Sequence, residues 1–118
     1  MVGHEIASGG IESKGLPSSV SKEVVGELRN EFGGLIFTDS ISMRGLRNKY
    51  ILKEKEMFID LIEAGNDIVI DSSKNPILNK TEKRIEKVIE CIKKGFIDEK
   101  RIDDSVERIL KSKGYKIL

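Results

Sequence analysis

In this 118-residue sequence the side chain best placed to do chemistry is an aspartate directly behind a short apolar run. Asp39 follows Leu35-Ile36-Phe37 and Thr38, and Ser40-Ile41-Ser42-Met43 comes after it. A continuous apolar run behind the glycine break at Gly33-Gly34 reads as a strand buried on both faces, as in parallel sheets. Ligands bind at the C-terminal ends of such strands, in barrels and open sheets alike. A carboxylate there can serve as nucleophile, base or metal ligand; the structural alternative is a cap on the following turn. Other reactive groups are few. His4 is the only histidine and Cys91 the only cysteine, so there is no internal disulfide and no zinc-type spacing. Cys91 sits in a helical, apolar-patterned stretch and is expected as a buried or half-buried structural thiol. No metal or cofactor is expected.

The elements that must position Asp39 follow from punctuation and periodicity. Residues 5–14 are polar, carry Ser8-Gly9-Gly10 and read as a loop. Ser21 is the expected N-cap of a helix whose stripe is Val24, Val25, Leu28 and Phe32. After the strand at 35–37, closed by Thr38-Asp39-Ser40, residues 41–53 read as a loop or a short irregular helix. A second helix starts near Glu54, with Phe58, Leu61 and Ile62 on one face and Gly65 as its stop. Ile68-Val69-Ile70 is a second buried strand, ended by Asp71-Ser72-Ser73. A longer helix begins at Asn79 or Thr81 with the stripe Ile85, Val88, Ile89 and Ile92, and stops at Gly95. A last helix carries Ile102, Val106, Ile109 and Leu110. Single strands separated by helices define α/β architecture with parallel strands; Met1-Val2 is a candidate for the end of a third. A (β/α)8 barrel takes eight strands and about 250 residues, so this length is a little over a third of one.

Composition excludes several classes. Apolar residues make up 38% and charged residues 35%, a globular balance and not a disordered one. Basic and acidic residues number 21 and 20, so nothing steers the chain towards nucleic acid or an anionic membrane. The charged C-terminal stretch mixes both signs and reads as a solvated helix face. With no tryptophan and 5% aromatics, the sequence lacks the flat platforms of a simple sugar-binding module. No apolar run approaches the ~20 residues of a membrane span, and Met1-Val2-Gly3-His4-Glu5 does not open a signal peptide. A cytoplasmic location is the expectation.

Five blocks bear a family resemblance. Gly34-Leu35-Ile36-Phe37-Thr38-Asp39-Ser40-Ile41-Ser42-Met43 resembles the segment of family 3 glycoside hydrolases that carries the catalytic nucleophile. Leu16-Pro17-Ser18-Ser19-Val20-Ser21-Lys22-Glu23-Val24-Val25 resembles the start of an upstream helix in that family, and Leu28-Arg29-Asn30-Glu31-Phe32-Gly33 that helix's end. Glu63-Ala64-Gly65-Asn66-Asp67-Ile68-Val69 and the closing stretch 101–113, from Arg101-Ile102-Asp103-Asp104-Ser105 onward, resemble two downstream blocks. All five occur in family order. The similarity is to the bacterial β-N-acetylhexosaminidase type. It implies an α/β fold in which residues 1–118 form the C-terminal portion of a (β/α)8 TIM-type barrel, cut in mid-barrel.

The resemblance implies an activity as well. Asp39 would be the nucleophile of a retaining hydrolysis that removes β-linked N-acetylglucosamine from a cell-wall-type glycan, through a covalent glycosyl-enzyme. A second group must protonate the leaving oxygen, ~5–5.5 Å away in the usual carboxylate pair. The family's sugar-binding Lys-His-Phe-Pro-Gly-His-Gly segment and its Asp-x-His loop, which carries the acid/base histidine, do not occur in this sequence. The acid/base would therefore come from elsewhere, for example from a chain supplying the N-terminal barrel half. Many relatives have a second aspartate where Ser40 stands. His4 falls in an internal block where relatives have a histidine that is not the acid/base, so a structural role is expected of it, with catalysis as the alternative. Two other readings stand beside the hydrolase. One is a non-catalytic remnant of it. The other is a receiver-like phosphoacceptor domain, which would need an acidic pair for magnesium and a late lysine.

Overall fold

A computed structural model describes residues 1–73 and 78–117, with the side chains of 78 and 79 left aside. The expected order of helices and strands is present. A 3₁₀ turn at Ser18–Val20 leads into α1 (Lys22–Glu31). Then come β1 (Phe37–Ser40), the short α2 (Arg44–Arg47), α3 (Glu54–Ala64), β2 (Ile68–Ile70), α4 (Leu78–Lys93) and α5 (Glu99–Ser112). The Ser21 hydroxyl accepts from the Val24 amide at 3.2 Å and caps α1, satisfying one of the four amides that a helix start leaves open. Gly65 ends α3 at φ +120°, a conformation that side chains bearing a Cβ rarely adopt.

The strands pair in parallel, β1 beside β2. On the other side of β1 Val2 makes a parallel bridge to Thr38, with Val2 N donating to the Phe37 carbonyl at 2.7 Å and Asp39 N to the Val2 carbonyl at 2.8 Å. The third strand end expected at Met1-Val2 is therefore present as a single bridge. The described sheet is two strands plus this bridge, covered by helices.

Strand β1 lies further along the chain than its apolar run. The ladder spans Phe37–Ser40, so Thr38, Asp39 and Ser40 lie within the paired strand and do not close it. Burial alternates along it: Ile36, Thr38 and Ser40 are buried, Phe37 and Asp39 half-buried. Ile36 packs with Val25 of α1 and Ala64 of α3, which identifies its face as the helix-covered one. Because side chains alternate across a regular strand, Phe37 belongs to the opposite face, and Phe37 and Asp39 are both less covered than their neighbours. The expectation of burial on both faces holds for one face only.

The larger core, Val20, Ile41, Leu46, Tyr50, Met57, Phe58 and Leu61, joins residues 41–53 to the 3₁₀ turn and to α3. Two expected stripes are less covered. Ile85 and Ile89 of α4 are 55% and 44% exposed, and Val106 of α5 is 45% exposed. In α5 the buried position is Ser105, because a buried carboxylate on the sheet side draws polar groups inward. Cys91 is buried as expected.

Candidate active site

The register of β1 against β2 changes within the strand that holds Asp39. Phe37 pairs with Ile68 and Ser40 with Ile70, so two residues, Thr38 and Asp39, oppose Val69 alone. This is a β-bulge, a device that re-aims a side chain and raises local twist. The Thr38 hydroxyl compensates for the break by accepting the Ile70 amide at 3.1 Å. Asp39 is the penultimate residue of the strand and is half-buried. One carboxylate oxygen, Oδ1, accepts from the Ser40 amide at 2.7 Å. Among the described residues no cation pairs with Asp39. Its second oxygen remains available as a nucleophile or as an acceptor.

The Ser40 side chain organises the strand ends. Its Oγ accepts from the Ser72 amide at 3.0 Å and from Ser72 Oγ at 2.8 Å. With its lone pairs so engaged, its own proton goes to Ser42 Oγ, 2.7 Å away. A second aspartate here would bring a carboxylate into this hydroxyl cluster; serine instead links the turn after β1 to the segment after β2.

His4 is buried and both ring nitrogens are engaged. Nε2 lies 2.9 Å from the Ser40 carbonyl and must donate to it; Nδ1 then accepts from the Ser19 hydroxyl at 2.7 Å. This is a clamp with both nitrogens engaged by the protein itself, in keeping with the structural role expected of it. Gly45 passes so close that a Cβ there would lie 3.2 Å from the His4 carbonyl oxygen.

The most heavily bonded carboxylate, Asp67, was not singled out in the sequence. Its side chain is fully buried. Oδ2 takes the Ile36 amide at 2.9 Å and Arg29 at 2.6 Å; Oδ1 takes Ser105 at 2.7 Å and Arg108 at 3.0 Å. Burial alone would raise its pKa, but the hydrogen bonds from Arg108, the Ile36 amide and Ser105 outweigh it and hold the carboxyl below its usual range. Saturated in this way, Asp67 joins α1, the residue just before β1, and α5, and has no lone pair for chemistry. The signal for it was the pairing of Asp67 with Arg29, Arg101 and Arg108 across three of the quoted blocks. At the end of β2, Asp71 is bound by Arg84, which also holds Glu54. Among the described residues, no group of three or more His, Cys, Asp or Glu side chains is placed to hold a metal. No described helix is long and apolar enough to cross a membrane.

A parallel, helix-covered sheet with a carboxylate outside any ion pair near a strand's C-terminal end defines an α/β protein. The glycosyl hydrolase family 3 N-terminal domain matches residues 1–112, and the chain belongs to that family. No curated protein matches it. Among solved structures, it is similar to a family 3 β-N-acetylglucosaminidase from Paenibacillus sp. str. FPU-7. Identity there is 29% over 88% of this chain and 19% of that one, with a TM-score of 0.70. LpqI of M. tuberculosis shares 24% identity over 99% of this chain and 34% of its own, with a TM-score of 0.81. The β-N-acetylglucosaminidase from Thermotoga maritima shares 19% over 91% and 23%, with a TM-score of 0.72. These last two show a shared fold. The chain spans between 19% and 34% of the lengths of these three structures.

Proposed function

We propose that residues 1–118 form the C-terminal portion of a family 3 (β/α)8 barrel, and that Asp39 is the nucleophile of a retaining β-N-acetylglucosaminidase acting on cell-wall-type glycans. The observation that carries this is the bulge at Thr38-Asp39: it sets a carboxylate with one free oxygen near the C-terminal end of a parallel strand. In a closed barrel that end is where catalytic groups reside. The β-N-acetylglucosaminidases among the similar structures support the choice of substrate.

In this reading Asp39 attacks the anomeric carbon, the glycosidic C–O bond breaks, and the leaving oxygen takes a proton from an acid. Water then opens the glycosyl-enzyme, giving its proton to the same group acting as base. With both nitrogens of His4 engaged, that acid/base comes from outside these 118 residues, and the chain by itself is catalytically silent on unactivated linkages. Asp39 alone still stabilises positive charge at the anomeric carbon, so activated aryl glycosides react slowly.

The test is to complete the barrel with an N-terminal part carrying the acid/base and to trap the intermediate with a fluorinated N-acetylglucosaminide. The label is expected on Asp39, and Asp39→Asn is expected to abolish labelling and to lower turnover on the order of 10³-fold or more, as removal of a nucleophile does. Label on another residue overturns the assignment.

A further inference from the structure

A cleft of about 490 Å³ opens beside the C-terminal ends of β1 and β2, between the turn at Ile41 and Ser42 and the segment at Asp71 and Ser73. Four cationic residues line it, Arg44, Arg47, Lys80 and Arg84, against two acidic ones, Glu54 and Asp71. The acids are already neutralised. Arg84 bridges both of them, and Lys87 adds a second contact to Glu54 at 3.2 Å. Arg44 and Arg47 remain: both are exposed, and neither forms an ion pair with a described residue. They stand one helical turn apart on α2, which is held in place by the buried Leu46. An i, i+3 pair shares one helix face, so the two guanidinium groups present a paired donor surface.

We propose that this cleft is a subsite for a carboxylate carried by the sugar substrate, with Arg44 and Arg47 as its ligands and Lys80 adding charge. Guanidinium groups bind carboxylates in a forked, bidentate manner that an ammonium group cannot reproduce. The cleft begins two residues after Asp39 in sequence, on the same end of the sheet, so a glycan reaching from Asp39 towards α2 would present its acidic substituent there. Exposed Ile51 and Leu52 form an apolar lip on which the sugar ring can rest. This deepens the glycosidase reading and rests on it, because it names the charge class of the substrate for the same sheet edge.

Binding separates the two claims, since it needs no turnover. Titrate the full chain with D-glucuronate and with D-glucose, which differ only in the carboxylate, and follow the arginine side-chain Nε–H signals by NMR. Glucuronate is expected to shift the Arg44 and Arg47 signals, and glucose to leave them unmoved. Arg44→Gln with Arg47→Gln should weaken glucuronate binding at least tenfold, whereas Arg44→Lys with Arg47→Lys should keep part of it. Raising salt to 0.5 M should weaken binding in the parent chain, as for exposed charges. Equal shifts with both sugars, or unchanged affinity in the glutamine double variant, overturn the subsite. Retained glucuronate binding in a completed barrel that fails to label Asp39 would instead count against the nucleophile assignment alone.

Discussion

His4 Nε2 donates to the Ser40 carbonyl at 2.9 Å, so the carbonyl next to Asp39 is held by a side chain 36 residues earlier in the sequence. The strand end that carries the free carboxylate is thus fixed from the opposite side to β2. His4→Ala should remove this tie and leave the Ser19 hydroxyl without its acceptor, at a cost of about 1–3 kcal/mol. His4→Gln, whose amide can still donate to Ser40, should recover part of it. Urea unfolding of the three chains measures the difference. A His4→Ala midpoint equal to that of the parent would show the clamp to be dispensable.

Asp67 predicts a pH dependence of stability. Its folded pKa lies below its unfolded value, so between the two the unfolded chain binds more protons and stability rises with pH. The contribution is complete above about pH 4, the ordinary range for aspartate, and is lost as pH falls through the depressed folded value. Asp67→Asn should cost roughly 3–5 kcal/mol at neutral pH, since it leaves Arg29 and Arg108 without a buried counter-charge. It should also flatten the acid limb of the stability curve. A variant that retains the parent's slope below pH 4 would assign the acid sensitivity to another carboxylate.

Gly65→Ala tests the turn between α3 and β2. At φ +120° the new methyl would be strained, and it would lie 3.1 Å from Val25 Cγ1. Loss of more than about 1 kcal/mol is expected. Because Val25 packs with Ile36 just before β1, Val25→Ala in the same chain should relieve the clash and make the two changes non-additive. Thermal unfolding of the four chains of this cycle gives the coupling directly.

Self-association is the expected behaviour of the chain in isolation. Among the described residues, Val2 and β2 each pair with β1 on one edge only, and open edges template pairing with another chain. Ile85 and Ile89 stand on α4 beside an apolar groove of about 390 Å³ shared with Phe58, Ile62 and Val69. Each Å² left uncovered forgoes ~25 cal/mol. Sedimentation should therefore show concentration-dependent oligomers, with Ile85→Lys and Ile89→Lys shifting the population towards monomer. A monomer that unfolds in one sharp transition at every concentration would count against this.

Much of this was legible in residue type and spacing. Ser21 before an apolar stripe determined the start of α1, Gly65 the end of α3, and the apolar run at 68–70 the second strand, while the run at 35–37 marked only the beginning of β1. These are local effects, decided within a turn by hydrogen bonding, backbone freedom and burial. Five blocks in order were enough to indicate the family. Asp39 was legible as the candidate because a polar residue behind an apolar run falls near the C-terminal end of a strand, although the ladder runs through it to Ser40.

What lay outside local reach was decided by partners far along the chain. The bulge at Thr38-Asp39 is a property of the pairing with β2, some thirty residues later, where the Ile70 amide bonds to the Thr38 hydroxyl, and no pattern within 34–43 encodes that register. Helix α5 buries Ser105, and not Val106, because Asp67 is already inside and needs donors. His4 became a clamp once folding brought the Ser19 hydroxyl and the Ser40 carbonyl to its two nitrogens. The sequence by itself determined which segments are helix and strand and which carboxylate stands at the sheet edge. Only the tertiary structure decided which polar groups are saturated and which carboxylate oxygen stays free, because a buried hydrogen-bonding group takes whatever partner the packed chain brings within about 3 Å.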